Sequence, residues 1–142
     1  MKKIYVILIL ITAFLFSGCG KDKVKPSADS LTAKEALRIT DVIKSAYEGK
    51  DQDALRENMS PELAASVIDG LFFEKAELLF TTRLIKITDS AVMINLNWNG
   101  MWVIKNKTLK DLGSGVLVFQ SRTMKLIQVE GDNPFHTPIL RD

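Results

Sequence analysis

The distribution of hydrophobic and polar residues divides the chain at about Gly70. Between Leu31 and Gly49 the apolar residues recur every three or four positions, which predicts an amphipathic helix with one buried face. Beyond Gly70 they recur at every second position and branched side chains become frequent, which is typical of strands. The chain is therefore expected to have a helical first half and a sheet in its second half.

The predicted first helix has recognisable ends. Thr32 and Glu35 have the spacing of a capping box, in which the hydroxyl and the carboxylate satisfy free backbone N–H groups at a helix start. Gly49 is placed to end this helix in the left-handed conformation. The apolar face consists of Ala36, Ile39, Val42, Ile43, Ala46 and Tyr47.

Two shorter helices are expected to follow. Asp51 is a suitable N-cap for a helix that runs through Asn58. Ser60 and Pro61 then provide a cap and a first-turn proline for a third helix, which ends at about Ile68.

The second half predicts four to six antiparallel strands. The first covers residues 78–88, with 71–77 as an ambiguous start. In the second, Val92, Ile94, Leu96 and Trp98 alternate with Met93, Asn95, Asn97 and Asn99, which indicates one buried and one wet face. At Asn99-Gly100 the chain either makes a hairpin turn or bulges within one long strand that continues through Ile104. A loop is expected at 106–114, followed by strands at 115–121 and 124–130.

Helices followed by a run of strands predict an α+β fold, with the helices packed on one face of a curved antiparallel sheet. Residues 31–142 form this domain in our interpretation. Residues 20–30 are polar and carry little apolar surface, so residues 19–30 are predicted to form a flexible tether.

The N-terminus has the layout of an export signal. Lys2 and Lys3 precede a thirteen-residue apolar run from Ile4 to Phe16. A helix that spans a bilayer needs about 20 residues, so a permanent membrane span is the weaker interpretation. An uncleaved signal anchor, which would retain residues 1–18, is the alternative.

Ser17 and Gly18 stand directly before the single cysteine of the chain, Cys19. This sequence resembles the lipobox of bacterial lipoproteins. The resemblance implies a signal peptide at 1–18, removed so that Cys19 becomes the first residue and carries acyl chains such as palmitate. It also implies attachment to the bacterial envelope, either at the periplasmic face of the outer membrane or on the cell surface. The outer membrane is favoured because the resemblance implies that an aspartate after the cysteine would retain the protein at the inner membrane, and residue 20 is a glycine.

Charge and residue counts exclude several functions. Of 19 basic and 17 acidic residues, Lys2 and Lys3 belong to the signal, so 19 minus 2 leaves 17 of each sign after Cys19. Nucleic-acid binding is therefore not expected, since it needs a basic excess. One histidine and one cysteine predict neither a metal site nor a cofactor.

Two segments carry a resemblance to a fold family. The first segment is Ser45-Ala46-Tyr47-Glu48-Gly49-Lys50-Asp51-Gln52-Asp53-Ala54-Leu55, and the second is Met124-Lys125-Leu126-Ile127-Gln128-Val129-Glu130-Gly131-Asp132-Asn133-Pro134-Phe135. Both are similar to segments of nuclear transport factor 2-like domains, which are cystatin-like α+β cones. The resemblance covers residues 31–135. It implies either a binding module or an envelope enzyme of isomerase or dehydratase type that uses a carboxylate in the cone.

The residues favour the non-catalytic interpretation. The single histidine, His136, lies beyond the last predicted strand, and no carboxylate is enclosed by an apolar pattern. The expected function is therefore binding of a small apolar ligand or an envelope protein. The candidate ligand-binding residues are Phe72, Phe80, Arg83, Trp98, Trp102 and Phe119. Core packing is the alternative role of the aromatic residues, and a solvent-facing position on a strand is the alternative for Arg83. The amide face formed by Asn95, Asn97 and Asn99 has three interpretations: it pairs across a sheet-to-sheet homodimer, it holds a polar partner, or it is simply a wet outer face.

Overall fold

The computed structural model describes residues 25–139. The predicted signal peptide, Cys19 and residues 20–24 of the predicted tether lie outside these residues. The described part contains the helices α1 (Ala28–Gly49), α2 (Gln52–Asn58) and α3 (Pro61–Asp69), then the strands β1 (Lys75–Ile87), β2 (Ala91–Ile104), β3 (Lys107–Gln120) and β4 (Leu126–Gly131). The strands form one antiparallel sheet in the order β1-β2-β3-β4. The predicted α+β fold class is confirmed.

Both ends of α1 differ from the prediction. The hydroxyl of Ser27, not Thr32, accepts the capping hydrogen bond, from the backbone N–H of Ser30 at 3.1 Å. At the other end the left-handed residue is Lys50, with φ of 57°, and Gly49 is still helical. The helix therefore begins inside the segment that composition assigned to the tether, because a well-placed serine can start a helix in a polar stretch.

The two short helices are confirmed. The Asp51 carboxylate accepts from the N–H of Ala54 at 3.0 Å, and the Ser60 hydroxyl accepts from the N–H of Leu63 at 3.4 Å. Pro61 occupies the first turn of α3, where its missing N–H has no cost. These local caps explain why the boundaries were readable from sequence.

The predicted loop at 106–114 is wrong. β3 starts at Lys107, and the turn that joins it to β2 consists of Lys105 and Asn106, with φ of 50° and 60°. Two successive residues with positive φ are the geometry of a tight hairpin whose twist matches that of the strands. The polar and glycine-rich start of β3 is held as a strand by its pairing along the whole of β2, which local composition does not report.

Asn99-Gly100 forms neither a hairpin turn nor a bulge, so both predicted alternatives are wrong. The expected continuation of the strand through Ile104 is correct. The pairing of β2 with β3 runs from Ala91 to Ile104 without a shift. The irregularity lies in β1 instead, between Thr82 and Leu84. Gly100 therefore has another structural role, described below.

The sheet has two unlike faces. Its inner face packs against the helices, and alternate residues of β2, including Ile94, Leu96 and Trp102, are fully buried there. The outer face is turned away from the helices and carries the exposed Asn95 and Asn97. The predicted division of β2 into a buried and a wet face is confirmed.

Candidate functional site

A hydrogen-bond network joins four parts of the chain inside the cone, the space between the helices and the inner face of the sheet. The indole N–H of Trp102 donates to the Tyr47 hydroxyl at 2.9 Å. That hydroxyl also lies 3.0 Å from the Thr137 hydroxyl, which donates to the carbonyl oxygen of Gly70 at 2.5 Å. Tyr47 and Trp102 have no exposed surface, and Thr137 has almost none. These polar groups satisfy one another.

The environment of Tyr47 changes its acidity. Burial raises the pKa of the Tyr47 phenol above its ordinary value, and the hydrogen bonds with Thr137 and Trp102 offset part of that rise. The phenol is therefore neutral at physiological pH. It is available as a hydrogen-bonding group and not as a base.

Aromatic side chains fill the space around this network. The ring of Tyr47 lies 5.1 Å from that of Phe73 and 5.7 Å from that of Phe135, measured between centroids. Phe135 also packs edge-on against Phe80 at 6.0 Å. Phe135 belongs to the segment after β4, so the C-terminal part of the chain folds back and occupies the cone beside α1 and β1.

Two glycines make room for the two tryptophans. A Cβ atom at Gly100 would overlap the ring of Trp102, which lies two residues further along the same strand. A Cβ atom at Gly113 would come within 2.8 Å of Cζ2 of Trp98. The indoles of Trp98 and Trp102 meet edge to face at 6.3 Å. Gly100 is therefore required for close packing of a side chain, not for a turn.

A half-buried carboxylate beside this core has a structural role. Glu48 of α1 accepts a hydrogen bond from the backbone N–H of Leu78 at 2.6 Å, and it pairs with Lys44 at 3.2 Å. Leu78 lies on β1, whose outer edge has no partner strand in the described sheet. Glu48 therefore fixes α1 to the edge of the sheet.

The structure divides the predicted ligand-binding residues into two groups. Trp98, Trp102 and Phe119 belong to the hydrophobic core, and Phe80 packs against it. Phe72 is exposed in the connection before β1, and Arg83 is exposed at the irregularity of β1. The six residues do not line one open pocket. Their role in binding stays a prediction.

A different site lies on the outer face of the sheet. A hollow of about 450 Å³ is lined there by Leu79 of β1, Met101 of β2 and Leu112 of β3. Glu77 and Lys110 stand at its two sides. Leu79 and Leu112, on the two strands that flank β2, are 64% and 73% exposed, so with Met101 they form an exposed apolar patch.

The predicted amide face overlaps this hollow only in part. Asn99 pairs with Leu79 on one side and with Leu112 on the other, so it lies on the floor of the hollow. Asn95 and Asn97 continue the same face along β2. The sequence analysis missed Leu112 because residues 106–114 were interpreted as a loop. Lys110, Leu112 and Ser114 are spaced two apart and would therefore share one face of a strand. That spacing becomes informative only once the segment is known to pair with β2.

Neither a membrane span nor a metal site is found within the described part of the chain. Among residues 25–139 no helix is both long and apolar enough to cross a bilayer. In the same residues no three histidine, cysteine or carboxylate side chains are grouped to hold a metal ion. His136 is exposed.

Comparison with known proteins gives a structural likeness. No protein-family profile and no curated protein sequence matches the chain. The structure is similar to that of a nuclear transport factor 2-like superfamily protein from Salmonella enterica serovar Typhimurium, with a TM-score of 0.63 and 13% identity, over 79% of this chain and 97% of that one. A nuclear transport factor 2-like protein of unknown function from Shewanella oneidensis gives a TM-score of 0.48 and 16% identity, over 67% and 92%. The first likeness establishes the cone fold.

Proposed function

We propose that this chain, which has the nuclear transport factor 2-like fold, is a lipid-anchored protein of the bacterial envelope. Its domain is a non-catalytic binding module that contacts a protein partner through the outer face of the sheet. The observation that carries this proposal is the filled interior of the cone. With the interior occupied, binding has to use the surface, and the outer face of the sheet offers an exposed apolar hollow there.

The chemistry of the interior supports a non-catalytic role. A general base must reach its substrate inside the site. The buried hydroxyls and indole N–H groups of the described residues, from Tyr47, Thr137, Thr40, Trp102 and Trp98, all have hydrogen-bond partners within the chain. The half-buried carboxylate of Glu48 is engaged with Leu78 and Lys44. This arrangement suits a rigid core better than a reaction site.

The chemistry of the outer face supports protein binding. A shallow floor that is largely apolar, with Asn99 between the leucines, and that lies between groups of opposite charge resembles the centre and rim of a protein interface. The hollow is open on the outer face and not an enclosed pocket, so a flat or convex protein surface fits it better than a small apolar molecule does. The exposed leucines, Leu79 and Leu112, provide the apolar area that such a partner would cover.

The anchor in this proposal is Cys19. A single acyl chain holds a protein only marginally, and two or more hold it stably, at about 0.8 kcal/mol per buried methylene group. A lipoprotein processed at a lipobox carries the stronger type of anchor, with more than one acyl chain. The polar residues between Cys19 and α1 would keep the domain close to the membrane surface.

The anchor is tested by the intact mass of the protein extracted from membranes. We expect a chain that lacks residues 1–18 and carries added acyl mass, and we expect a Cys19→Ala variant to lose that mass. An unprocessed and unmodified chain would contradict the lipoprotein assignment.

The binding surface is tested by photo-crosslinking in cells. A benzophenone amino acid at Leu112 reports on the hollow, and the same group at Ala65, an exposed residue of α3, is the control. We expect protein adducts from position 112 well above those from position 65. Equal labelling at the two positions would contradict binding through the outer face.

A further inference from the structure

We infer that the interior of the cone is a binding site for a short peptide turn, and that residues 133–139, which we call the plug, occupy it as a built-in copy of the ligand. The ligand class is a peptide with an Asn-Pro-aromatic turn and a serine or threonine two positions after the aromatic residue. A partner that carries such a segment would bind by displacing the plug. The outer face stays accessible with the plug in place, so this inference does not rest on the proposed function.

The plug forms its turn with internal hydrogen bonds. The backbone N–H of Phe135 donates to Oδ1 of Asn133 at 2.9 Å, and the N–H of His136 donates to the carbonyl oxygen of Asn133 at 3.3 Å. Asparagine at the first position of a turn and proline at the second favour the same conformation in a free peptide. The segment is therefore preorganised, which reduces the entropy lost when it binds.

The anchor side chains of the plug are Phe135 and Thr137. They are 2% and 1% exposed, whereas His136 between them is exposed. Within residues 25–139, the hydrogen bonds that join the plug to the rest of the chain are all made by the Thr137 hydroxyl. A few anchor side chains also carry most of the binding energy of a bound peptide or protein. The plug is therefore held in the way that a separate ligand would be.

The cone provides an aromatic slot for Phe135. Its ring lies edge-on at 5.7 Å from the ring of Tyr47 and at 6.0 Å from that of Phe80. Phe73 supports the other side of Tyr47, with the ring centroids 5.1 Å apart. Edge-to-face contacts between rings stabilise beyond the burial of apolar area. The slot between α1 and β1 therefore favours an aromatic residue over an aliphatic one.

A donor and an acceptor of the cone converge on one oxygen atom of the plug. The carbonyl oxygen of Gly70 can only accept, so the Thr137 hydroxyl donates to it, at 2.5 Å. The Tyr47 hydroxyl accepts from the indole N–H of Trp102 and donates its own proton to Thr137, at 3.0 Å. A hydroxyl donates and accepts through the same atom. A ligand without one would leave buried groups unpaired, which is costly.

Release of the plug would leave the pairing of the strands unchanged. β4 ends at Gly131. Asp132 is the last residue attached to the sheet through its backbone: its N–H donates to Ser114 and its carbonyl oxygen accepts from the indole N–H of Trp98, both at 3.0 Å. Segments with few attachments open locally at a fraction of the cost of global unfolding. The plug is therefore expected to leave the cone while the domain stays folded.

The plug competes with any added ligand. It is part of the same chain, so its effective concentration at the cone is high. The apparent affinity for an added peptide is the intrinsic affinity multiplied by the fraction of chains whose cone is vacant. The wild type is therefore expected to bind such a peptide weakly, and a chain with a weakened plug should bind it more tightly.

The first test measures whether the plug leaves the folded domain. Thr137→Cys and Thr40→Cys each place a thiol at a buried threonine. Thr40 lies within α1, where its hydroxyl bonds to the carbonyl oxygen of Ala36, so a thiol there is reached only when the helix unfolds. The full chain in detergent is treated with a thiol reagent, and the wild type gives the background from Cys19. We expect labelling at position 137 about 100-fold faster than at position 40.

An added peptide then tests the exchange. A synthetic peptide with the sequence of residues 132–139 should occupy the vacant cone and keep the plug outside. We expect it to raise the labelling rate at position 137 about tenfold or more. A peptide with alanine in place of Phe135 and Thr137 is the control and should leave that rate unchanged. The rate at position 40 should not rise with either peptide.

Binding is measured directly with the same peptide carrying fluorescein, by anisotropy against the full chain. Phe135→Ala weakens the plug and should lower the dissociation constant about tenfold or more relative to the wild type. His136→Ala, at the exposed residue of the same turn, is the control and should behave as the wild type. Adding Tyr47→Phe to Phe135→Ala removes the hydroxyl donor of the cone and should weaken the peptide again.

Three outcomes would overturn the inference. They are equal labelling at positions 137 and 40, a rate at position 137 that the peptide does not raise, and peptide binding by Phe135→Ala no tighter than by His136→Ala. If Phe135→Ala does not fold, the labelling experiments decide alone, because Thr137→Cys retains the aromatic anchor. Crosslinking from position 112 tests the outer face separately, so this inference and the proposed function fail independently.

Discussion

The indole N–H of Trp102 donates a hydrogen bond to the hydroxyl of Tyr47 at 2.9 Å, and both side chains are fully buried. The bond joins β2 to α1 across the centre of the cone. The same hydroxyl contacts Thr137, so the segment after β4 is attached at the same point. One phenolic oxygen therefore holds three separate parts of the chain, and its removal should be measurable in stability.

Tyr47→Phe is expected to lower the free energy of unfolding by about 1–3 kcal/mol. The substitution preserves the ring and leaves the N–H of Trp102 buried without an acceptor, which costs about that amount. Urea unfolding followed by tryptophan fluorescence gives the value. Phe72→Leu, at an exposed aromatic residue, is the control and should change the stability by less than about 0.5 kcal/mol. A loss as small as that of the control would contradict the role of the hydroxyl.

The stability should also depend on Tyr47 at alkaline pH. Burial holds the pKa of Tyr47 above its ordinary value of about 10. The folded protein therefore retains this proton more strongly than the unfolded chain does. The contribution of the Tyr47 proton to the free energy of unfolding is fully present below about pH 10. It is lost as the pH rises from there through the pKa of Tyr47 in the folded protein.

We therefore expect the stability difference between the wild type and Tyr47→Phe to be constant below about pH 10 and to decrease above it. Lysine titration occurs in both proteins and cancels in the difference. Urea unfolding of the pair at a series of pH values measures this. A difference that grows with pH would show that the sign is wrong.

Thr137→Val tests whether the C-terminal segment is coupled to Tyr47. The substitution retains the shape of the side chain and removes the hydroxyl that bonds to Tyr47 and Gly70. We expect a loss of about 1–2 kcal/mol for the single change. In a double-mutant cycle with Tyr47→Phe, the coupling should be at least about 0.5 kcal/mol. Strictly additive losses would indicate that the two hydroxyls act independently.

Two glycines should respond to alanine in opposite directions. Gly100→Ala forces a Cβ into the ring of Trp102 and should cost about 1–3 kcal/mol. Gly49→Ala meets nothing within 4 Å at the end of α1 and should stabilise by up to about 1 kcal/mol. Thermal and urea unfolding of the two variants measure both changes. Equal tolerance at the two positions would contradict the packing of Trp102 over Gly100.

Glu48→Ala should lower the free energy of unfolding by about 1–3 kcal/mol, because the backbone N–H of Leu78 loses its acceptor at the sheet edge. Glu48→Gln retains an acceptor oxygen and should lose less. The exposed Glu57→Ala on α2 is the control and is expected to change the stability by under about 0.5 kcal/mol. Equal losses for the alanine and glutamine variants would point to the ion pair with Lys44 as the main interaction.

The sequence predicted the features that depend on neighbouring residues. Asp51, Ser60 and Pro61 define helix starts through contacts with the next three residues, and those starts were correct. The alternation along β2 identified its buried face, because side chains of a strand point to opposite sides in turn. The order of helices and strands was enough to give the α+β class.

Features that depend on distant residues were decided by the tertiary structure alone. Residues 107–114 are a strand because β2 pairs with them, and glycine is needed at position 100 because a Cβ there would overlap the ring of Trp102. The hydroxyls of Tyr47 and Thr137 are 90 positions apart in the chain and meet only after folding. Glu77, Met101 and Lys110 come together on the outer face only through strand register. The sequence by itself thus determined the helix starts, the buried face of β2 and the fold class, whereas the packing and the outer face follow from contacts that no local pattern encodes.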